Sequence, residues 1–431
     1  MEELVSCDPP YYRLRLASLP VIYDALRLLK LEAGSFRKVA AFVLHIVKAR
    51  GQSPSPFLFE TLIHVMVDTR CSAAALGTLL REMDELAVNK SSGLCEGALA
   101  VLAVHPDYTI RNDVIKYMKD AWLQPTQEGE ENILLGQLRD GQYELAFDKL
   151  EALVEKGQTL SPFVYDIFIF AFAQLGFLDE AVKTAHFKLR DPRMTIPWNL
   201  WYYLLDTCST SLHYPGVKYL WTRMVETQRL NPSDGMLNNV LNTAARHHDI
   251  DLATRVMQLM TERGARLQGH HFEALADCYV GREDIANVFQ VLCIMAKAGV
   301  SVTEGSTRSI YNLLKMNPAL ADEAVETLIQ LSQDNEVPTG ALDVVIEAMV
   351  EAGRSDEALD LYRHARTVTK VGPGLRTVQL LLRDGSRPDI REFLEADQPG
   401  LIQRHDESLG EGVADDLDGR FAGGTGRAQS N

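Results

Sequence analysis

The side chains of this chain most capable of chemistry are its histidines, cysteines and paired carboxylates, and their spacing decides what they can do. Eleven histidines include two doublets, His247-His248 and His270-His271. A metal site needs further ligands at i+3, i+4 or in a second converging pair, and neither doublet has them. Both read as polar helix surface and loop. The six cysteines, Cys7, Cys71, Cys95, Cys208, Cys278 and Cys293, are scattered without a C-x-x-C pair, which fits buried free thiols in a reducing compartment. Asp and Glu pair up at helix starts, exposed positions that do not make an acid–base site. G-x-x-x-x-G-K-[ST], H-E-x-x-H and G-x-S-x-G are all missing. Trp198, Trp201 and Trp221 lie close in sequence and form either a ligand cage or packed core. "DDLDG" near the C-terminus opens like a calcium loop but lacks the later ligands and the bidentate Glu. The chain reads as a non-enzyme, with no cofactor and no metal.

Charge limits the partners. Forty-three Lys and Arg against 59 Asp and Glu give 43 − 59 = −16. That balance opposes a general polyphosphate-binding surface, because affinity for nucleic acid comes largely from neutralised phosphates. The basic side chains that can still hold phosphates are Arg13, Arg15, Arg37, Lys38, Lys48, Arg50, Arg190 and Arg193; for each, the alternative is a solvated face. No apolar run reaches the roughly 18–20 residues of a bilayer span. The nearest, "FVYDIFIFAFAQLGF", is too short and contains Asp166, so a soluble protein without a membrane span is expected. The N-terminal "MEELVSCDPPYYRLRLASLP" has neither an Arg-rich, acid-poor transit helix nor a signal core. The protein is then cytosolic, or imported on an internal signal, or lacks an upstream segment.

The elements that must carry these residues are helices, and they repeat. Leu and Ala are abundant and long Thr/Val/Tyr alternations are missing. Small residues closing an acidic turn recur at Ala40, Ala75, the weaker Thr109, Ala146, Ala181, Gly216, Ala253, Ala286, Ala324 and Ala358, at intervals of 33 to 38 residues. Such a period marks a helix-pair repeat. First helices run through "SPFLFETLIHVMV", "SPFVYDIFIFAFAQ", "GMLNNVLNTAAR" and "TGALDVVIEAMVEA". Gly141, Gly176, Gly281 and Gly353 suit the left-handed residue that stops a helix. Second helices begin on acids, favourable beside the positive end of the helix dipole, and Gly51, Gly157 and Gly264 end three of them. The small anchor lets the two helices cross closely. "FIFAFA" is thus a first helix, apolar nearly all round because repeats stack on both sides. The expected architecture is an all-α, right-handed α-solenoid superhelix of about ten helix-turn-helix repeats, on the order of 100 Å long at about 10 Å per repeat. Residues 1–19 form an N-terminal extension, 20–396 the solenoid with "RPDIREFLEA" as a short cap, and 397–431 a disordered acidic, Gly-rich tail.

The W-x-x-L-G-x-x-Y signature of tetratricopeptide repeats is missing. First helices instead show "YDAL", "FETLI", "YDIFI", "LNNVL" and "LDVVI", and second helices "GRSDEALDLYRHA" and "LATRVMQLMTERG". In these segments the chain resembles the pentatricopeptide repeat family, in a fungal-type mitochondrial form, with "TYN-x-LI", "G-x-x-[DE]-EA" and "M-x-x-x-G". The resemblance covers about 85% of the chain.

The resemblance implies single-stranded RNA binding in an organelle, the mitochondrion, with about one base read per repeat. It places the base-facing position after the aromatic of each first helix: Asp24, Glu60, Asp166, Asn238 and Asp343, with Asn199 if "PWNL" fills that role. Phe57 or Phe163 would press on a base face. Four of the six base-facing positions are acidic where the family favours Asn, Ser and Thr. The partner position, usually Asp or Asn, reads Ser55, Lys90, Ser161 and Gln268. The alternative for the four carboxylates is first-turn stabilisation by the helix dipole. The implied role is a factor that holds a transcript or ribosomal RNA for processing, splicing, stability or translation. The competing expectation, favoured by the charge and the acidic positions, is a protein-binding solenoid: a mitoribosome subunit or a respiratory-complex assembly factor.

Overall fold

The computed structural model describes residues 17–32, 34–334, 337–367, 374–382, 388–397, 399–400 and 402–403. Arg13, Arg15, Cys7 and the tail with "DDLDG" lie outside them. Among the described residues every regular element is a helix, and the chain divides into two compact units, 1–200 and 201–431.

The first unit contains α1 (Leu19–Leu29), α2 (Phe36–Leu44, continued by a π-helical turn His45–Ala49), α3 (Pro56–Val65), α4 (Ala73–Glu85) and α5 (Ser92–Val104). It continues with α6 (Tyr108–Asp120), α7 (Gln127–Arg139), α8 (Tyr143–Glu155), α9 (Pro162–Leu175) and α10 (Leu178–Lys188). α11 (Trp198–Thr210) straddles the division. The second unit follows with α12 (Tyr214–Leu220, continued by a π-helical turn Trp221–Val225), α13 (Asp234–Arg246), α14 (Ile250–Glu262), α15 (Gly269–Val280) and α16 (Ile285–Lys297). It ends with α17 (Glu304–Met316), α18 (Leu320–Asp334), α19 (Thr339–Glu351), α20 (Ser355–Thr367), α21 (Leu375–Leu382) and α22 (Pro388–Asp397).

Odd-numbered helices are the first helices of repeats and even-numbered ones the second. In the first unit α3 packs on α5, α5 on α7 and α7 on α9; in the second, α13 on α15, α15 on α17, α17 on α19 and α19 on α21. Each unit is therefore a two-layer helical-repeat solenoid, in which neighbouring repeats supply the apolar contacts that one helix pair lacks. The segment read as a terminal cap, "RPDIREFLEA", is α22, and it pairs with α21, a helix not anticipated from the sequence.

α9 shows how the sequence builds a first helix. Pro162 supplies the fixed φ of the first helical position, and Gly176, at φ 85°, stops the helix in the left-handed region. Val164, Tyr165, Phe168, Ile169, Phe172 and Ala173 are buried, but Phe163 is 62% exposed and Phe170 48%. The helix is not buried all round; one strip of the first-helix layer remains in solvent. At the turn after α15 the left-handed residue is Glu283 at φ 58°, while Gly281 is right-handed. Its freedom is used sterically instead, since a Cβ there would lie 1.9 Å from the ring of His248.

The small anchors need correction in register. Ala146, Ala181 and Ala253 stand four residues past their helix caps Gln142, Phe177 and Asp249, and all three are buried. The same place in α4, α6, α12 and α16 holds Leu76, Arg111, Val217 and Val288, also buried, whereas Thr109 and Ala286 are exposed and Ala75 is half-buried. In α16 the acid before the apolar run, Asp284, is the cap itself and accepts from Asn287 N at 3.1 Å. The helix therefore starts later than the acidic pattern implied. Arg111 fits the crossing because α7 has Gly136 opposite: a Cβ there would meet Arg111 Nη1 at 3.0 Å.

No described helix is long and apolar enough to cross a membrane. The described cysteines are free thiols, four of them buried. Trp201 and Trp221 are core residues and Trp198 is 60% exposed.

Candidate nucleic-acid interface

A side chain in a helix leans towards its N-terminus. A residue five past the cap of one first helix therefore reaches the start of the next first helix, which runs alongside it. That position is occupied by Glu60, Glu96, Glu131, Asp166, Asn238, Glu273 and Asp343 in α3, α5, α7, α9, α13, α15 and α19. Six of the seven hold the next first helix at its cap. Ser91 Oγ donates to Glu60 Oε2 at 3.1 Å. Thr126 gives Glu96 both its N–H (2.7 Å) and its hydroxyl (3.0 Å). Ser161 N–H donates to Glu131 at 2.7 Å, His271 Nε2 meets Asn238 Oδ1 at 2.9 Å, and Ser306 Oγ donates to Glu273 at 2.8 Å. Thr377 Oγ1 donates to Asp343. In several rungs the same hydroxyl also accepts a helix N–H, as Ser91 does from Leu94 and Thr126 from Gly129. Each carboxylate thus caps a neighbouring helix in trans, where the positive end of the dipole favours it.

The seventh side chain, Asp166, pairs instead with Lys188 Nζ of α10 at 2.7 Å, and that lysine is buried. Pro197, which precedes α11, has neither an N–H nor a hydroxyl to offer. Pro338 precedes α19 in the same way, and the corresponding residue of α17 is Arg308 rather than an acid.

Titration follows this geometry. Burial alone would raise the Glu60 carboxyl, but Lys30 Nζ at 2.8 Å and the Ser91 hydroxyl bring it below its ordinary value. Among the described residues no cation lies beside Asp343, and burial pushes it up. His271 is lowered by burial and by neighbouring His270. Its Nδ1 accepts Gln268 N–H at 2.8 Å, so the proton of the neutral ring sits on Nε2 and points at Asn238 Oδ1. That leaves the Asn238 Nδ2 donors without a partner among the described residues.

Of the base-facing positions expected from the sequence, Glu60, Asp166, Asn238 and Asp343 share this register. Asp24 is one residue further on and pairs with Arg27, and Asn199 lies exposed at the start of α11. Glu96, Glu131 and Glu273 belong to the register but were missed; Glu96 follows Cys95 and Glu131 follows Glu130 rather than an aromatic or Leu, and only Glu273, after Phe272, carried that signal. Ser55, Ser161 and Gln268 are caps, while Lys90 precedes the cap Ser91. Phe57 is half-buried beside Tyr23 (5.7 Å) and under Arg27 (5.8 Å).

The described phosphate-holding candidates lie on second helices or the loops after them. Lys38 pairs with Glu32 at 3.0 Å, and Arg193 makes three bonds to Asp191, two from its guanidinium and one from its N–H, which pull that carboxyl down to about 2. Arg50 donates to Ala17 O at 2.7 Å, and Arg190 lies over the Phe187 ring. Arg37 and Lys48 are exposed. The structure does not gather them at the carboxylate rungs. The histidine doublets are also placed: His247 stacks on Tyr214 at 4.7 Å, His248 covers Gly281, His271 is buried and His270 exposed.

With this geometry in view, residues 234–365, which span α13 to most of α20, match the family model described as pentatricopeptide repeat-containing protein. The chain is also similar to solved structures of the pentatricopeptide repeat protein PPR10. One, in complex with an 18-nt psaJ RNA element, is 15% identical over 90% of this chain and 57% of that one, with a TM-score of 0.37. Another, from maize, is 15% identical over 92% of this chain and 63% of that one, with a TM-score of 0.35. The chain thus spans less than two thirds of the length of these proteins. No curated protein matches it.

Proposed function

We propose that the protein is an organellar RNA-binding factor that holds a single-stranded segment of a mitochondrial transcript or ribosomal RNA for processing, splicing, stability or translation. The observation that carries this reading is the pentatricopeptide repeat match over 234–365, on repeats whose first helices form one layer. Such a layer presents successive helix starts to an extended strand, with side chains able to meet one base at a time. Binding keeps the strand unpaired or shields an end from nucleases, and it asks for no chemistry from the protein.

A second reading is favoured by one observation: the carboxylates of the shared first-helix register, all but Asp166, are engaged at the next helix's cap, in a chain of net charge −16. On that reading the solenoid binds protein, as a mitoribosome component or assembly scaffold. Equilibrium binding to a randomised single-stranded RNA pool, at several salt concentrations and with the selected sequences read out, separates the two. The proposal expects an enriched motif and affinity that falls as salt rises. Failure to bind at low salt would refute it and leave the protein scaffold.

A further inference from the structure

Resting on the RNA-binding reading, we infer that base reading is confined to repeats seven to nine, α13 to α18, and that repeats two to four act as a locked arm.

In repeats two to four the reading register is already spent. Glu60 uses Oε1 on Lys30 and Oε2 on Ser91, and Glu96 uses Oε1 and Oε2 on Thr126. Glu131 Oε1 accepts from both Ser161 N and Gln127 Nε2. Turning any of these to a base would open a helix cap and bring a carboxylate against a polyanion.

Repeats seven and nine differ in each respect, while repeat eight keeps Glu273 on the Ser306 hydroxyl and adds a histidine and an arginine ahead of it. Asn238 is neutral, and His271 fixes its amide so that Oδ1 is occupied and the Nδ2 donors are offered. Such an amide selects a base with a carbonyl on its edge. His270, exposed at the start of α15, provides a ring face for stacking. Arg308 puts a cation at the reading register of α17, and Arg229 and Arg266 lie in the loops entering α13 and α15. All three are exposed and form no ion pair with any described residue. Gly235, at the start of α13, has nothing within 4 Å of where a Cβ would be, which leaves the floor open for a backbone to approach.

The test uses the full chain and a randomised single-stranded RNA pool, with thermal melting to verify folding of each variant. Arg229→Ala/Arg266→Ala/Arg308→Ala is expected to reduce the slope of log affinity against log salt by about 2, at about 0.7 per phosphate released. Asn238→Ala/His270→Ala is expected to erase the preference at one motif position with little change in slope. Glu60→Ala/Glu96→Ala/Glu131→Ala is expected to melt earlier yet select the same motif; the Gln triple variant replaces it if the Ala triple does not fold. Wild-type selection that survives the two second-unit variants, or changes with the Glu variants, would overturn the confinement while leaving RNA reading intact. Absence of wild-type selection would overturn both.

Discussion

Thr126 Oγ1 accepts the Gly129 N–H at 3.1 Å and donates its own proton to Glu96 Oε2 at 3.0 Å, so one hydroxyl both caps α7 and ties it to α5. Gly129 matters to this link, because a Cβ there would lie 2.2 Å from Glu96 Oε2. Gly129→Ala gains about 1 kcal/mol of helix propensity but displaces the carboxylate, whose charge-assisted bonds contribute about 1.5–3 kcal/mol. The substitution is expected to destabilise the wild type and to stabilise the Glu96→Ala variant by about 1 kcal/mol. Urea unfolding of the four proteins in this cycle measures it; the same sign in both backgrounds would refute the link.

The Arg111 guanidinium, buried in α6, contacts Asp140 and donates to Gln142 Oε1 at 2.7 Å, at the turn between α7 and α8. Arg111→Ala leaves a cavity and strands a carboxylate that is only 10% exposed. A loss of about 3–5 kcal/mol is expected, as for breaking a buried pair. Arg111→Met keeps the volume, and with Asp140→Asn should recover most of that loss. A double variant no more stable than Arg111→Ala would show that neither the cavity nor the stranded charge accounts for the loss.

These two links mark what the sequence could convey. Period, helix pairing and the caps of the strong repeats are legible because apolar spacing and acidic turns repeat locally, as at Ala146, Ala181 and Ala253. The rungs join residues 30 to 34 apart, through side-chain conformations that no local pattern specifies. They were still encoded: aligning repeats on Ser55, Ser91 and Thr126, rather than on small residues, sets Glu60, Glu96 and Glu131 in one column. Small-residue anchors slipped where a bulky side chain fills the crossing, as Arg111 does against Gly136. Counting from the aromatic misplaced Asp24 by one residue for a similar reason, since Tyr23 itself holds the fifth position of α1.

Asp343 is buried, and among the described residues the Thr377 hydroxyl alone stabilises its charge, so its folded-state pKa lies above the unfolded value of 3.8. An acid raised in this way contributes stability that is full below the unfolded pKa and lost as pH rises through the folded one. Asp343→Asn keeps an acceptor for Thr377 and removes the charge. It is expected to raise the melting midpoint at about pH 7, with the gain shrinking towards about pH 4. A gain independent of pH would exclude charge burial as its cause.

His271 titrates in the opposite sense. Burial, with His270 beside it, holds its pKa below 6.5, and its two ring nitrogens are committed to Gln268 N–H and Asn238 Oδ1. Protonation would put a proton on Nδ1, where an N–H already points, and so break the cap of α15. A base lowered on folding binds its proton more tightly when unfolded. The stability it contributes is therefore full above the unfolded pKa and lost as pH falls through 6.5 and then through the folded value. Hydrogen exchange in the first turn of α15 is expected to quicken, relative to α16, between about pH 7 and about pH 5.5 once intrinsic rates are removed. His271→Gln, which has no titrating ring, should flatten that dependence. If it persists in His271→Gln, another group opens the turn and the assigned tautomer no longer explains the offered Asn238 donors.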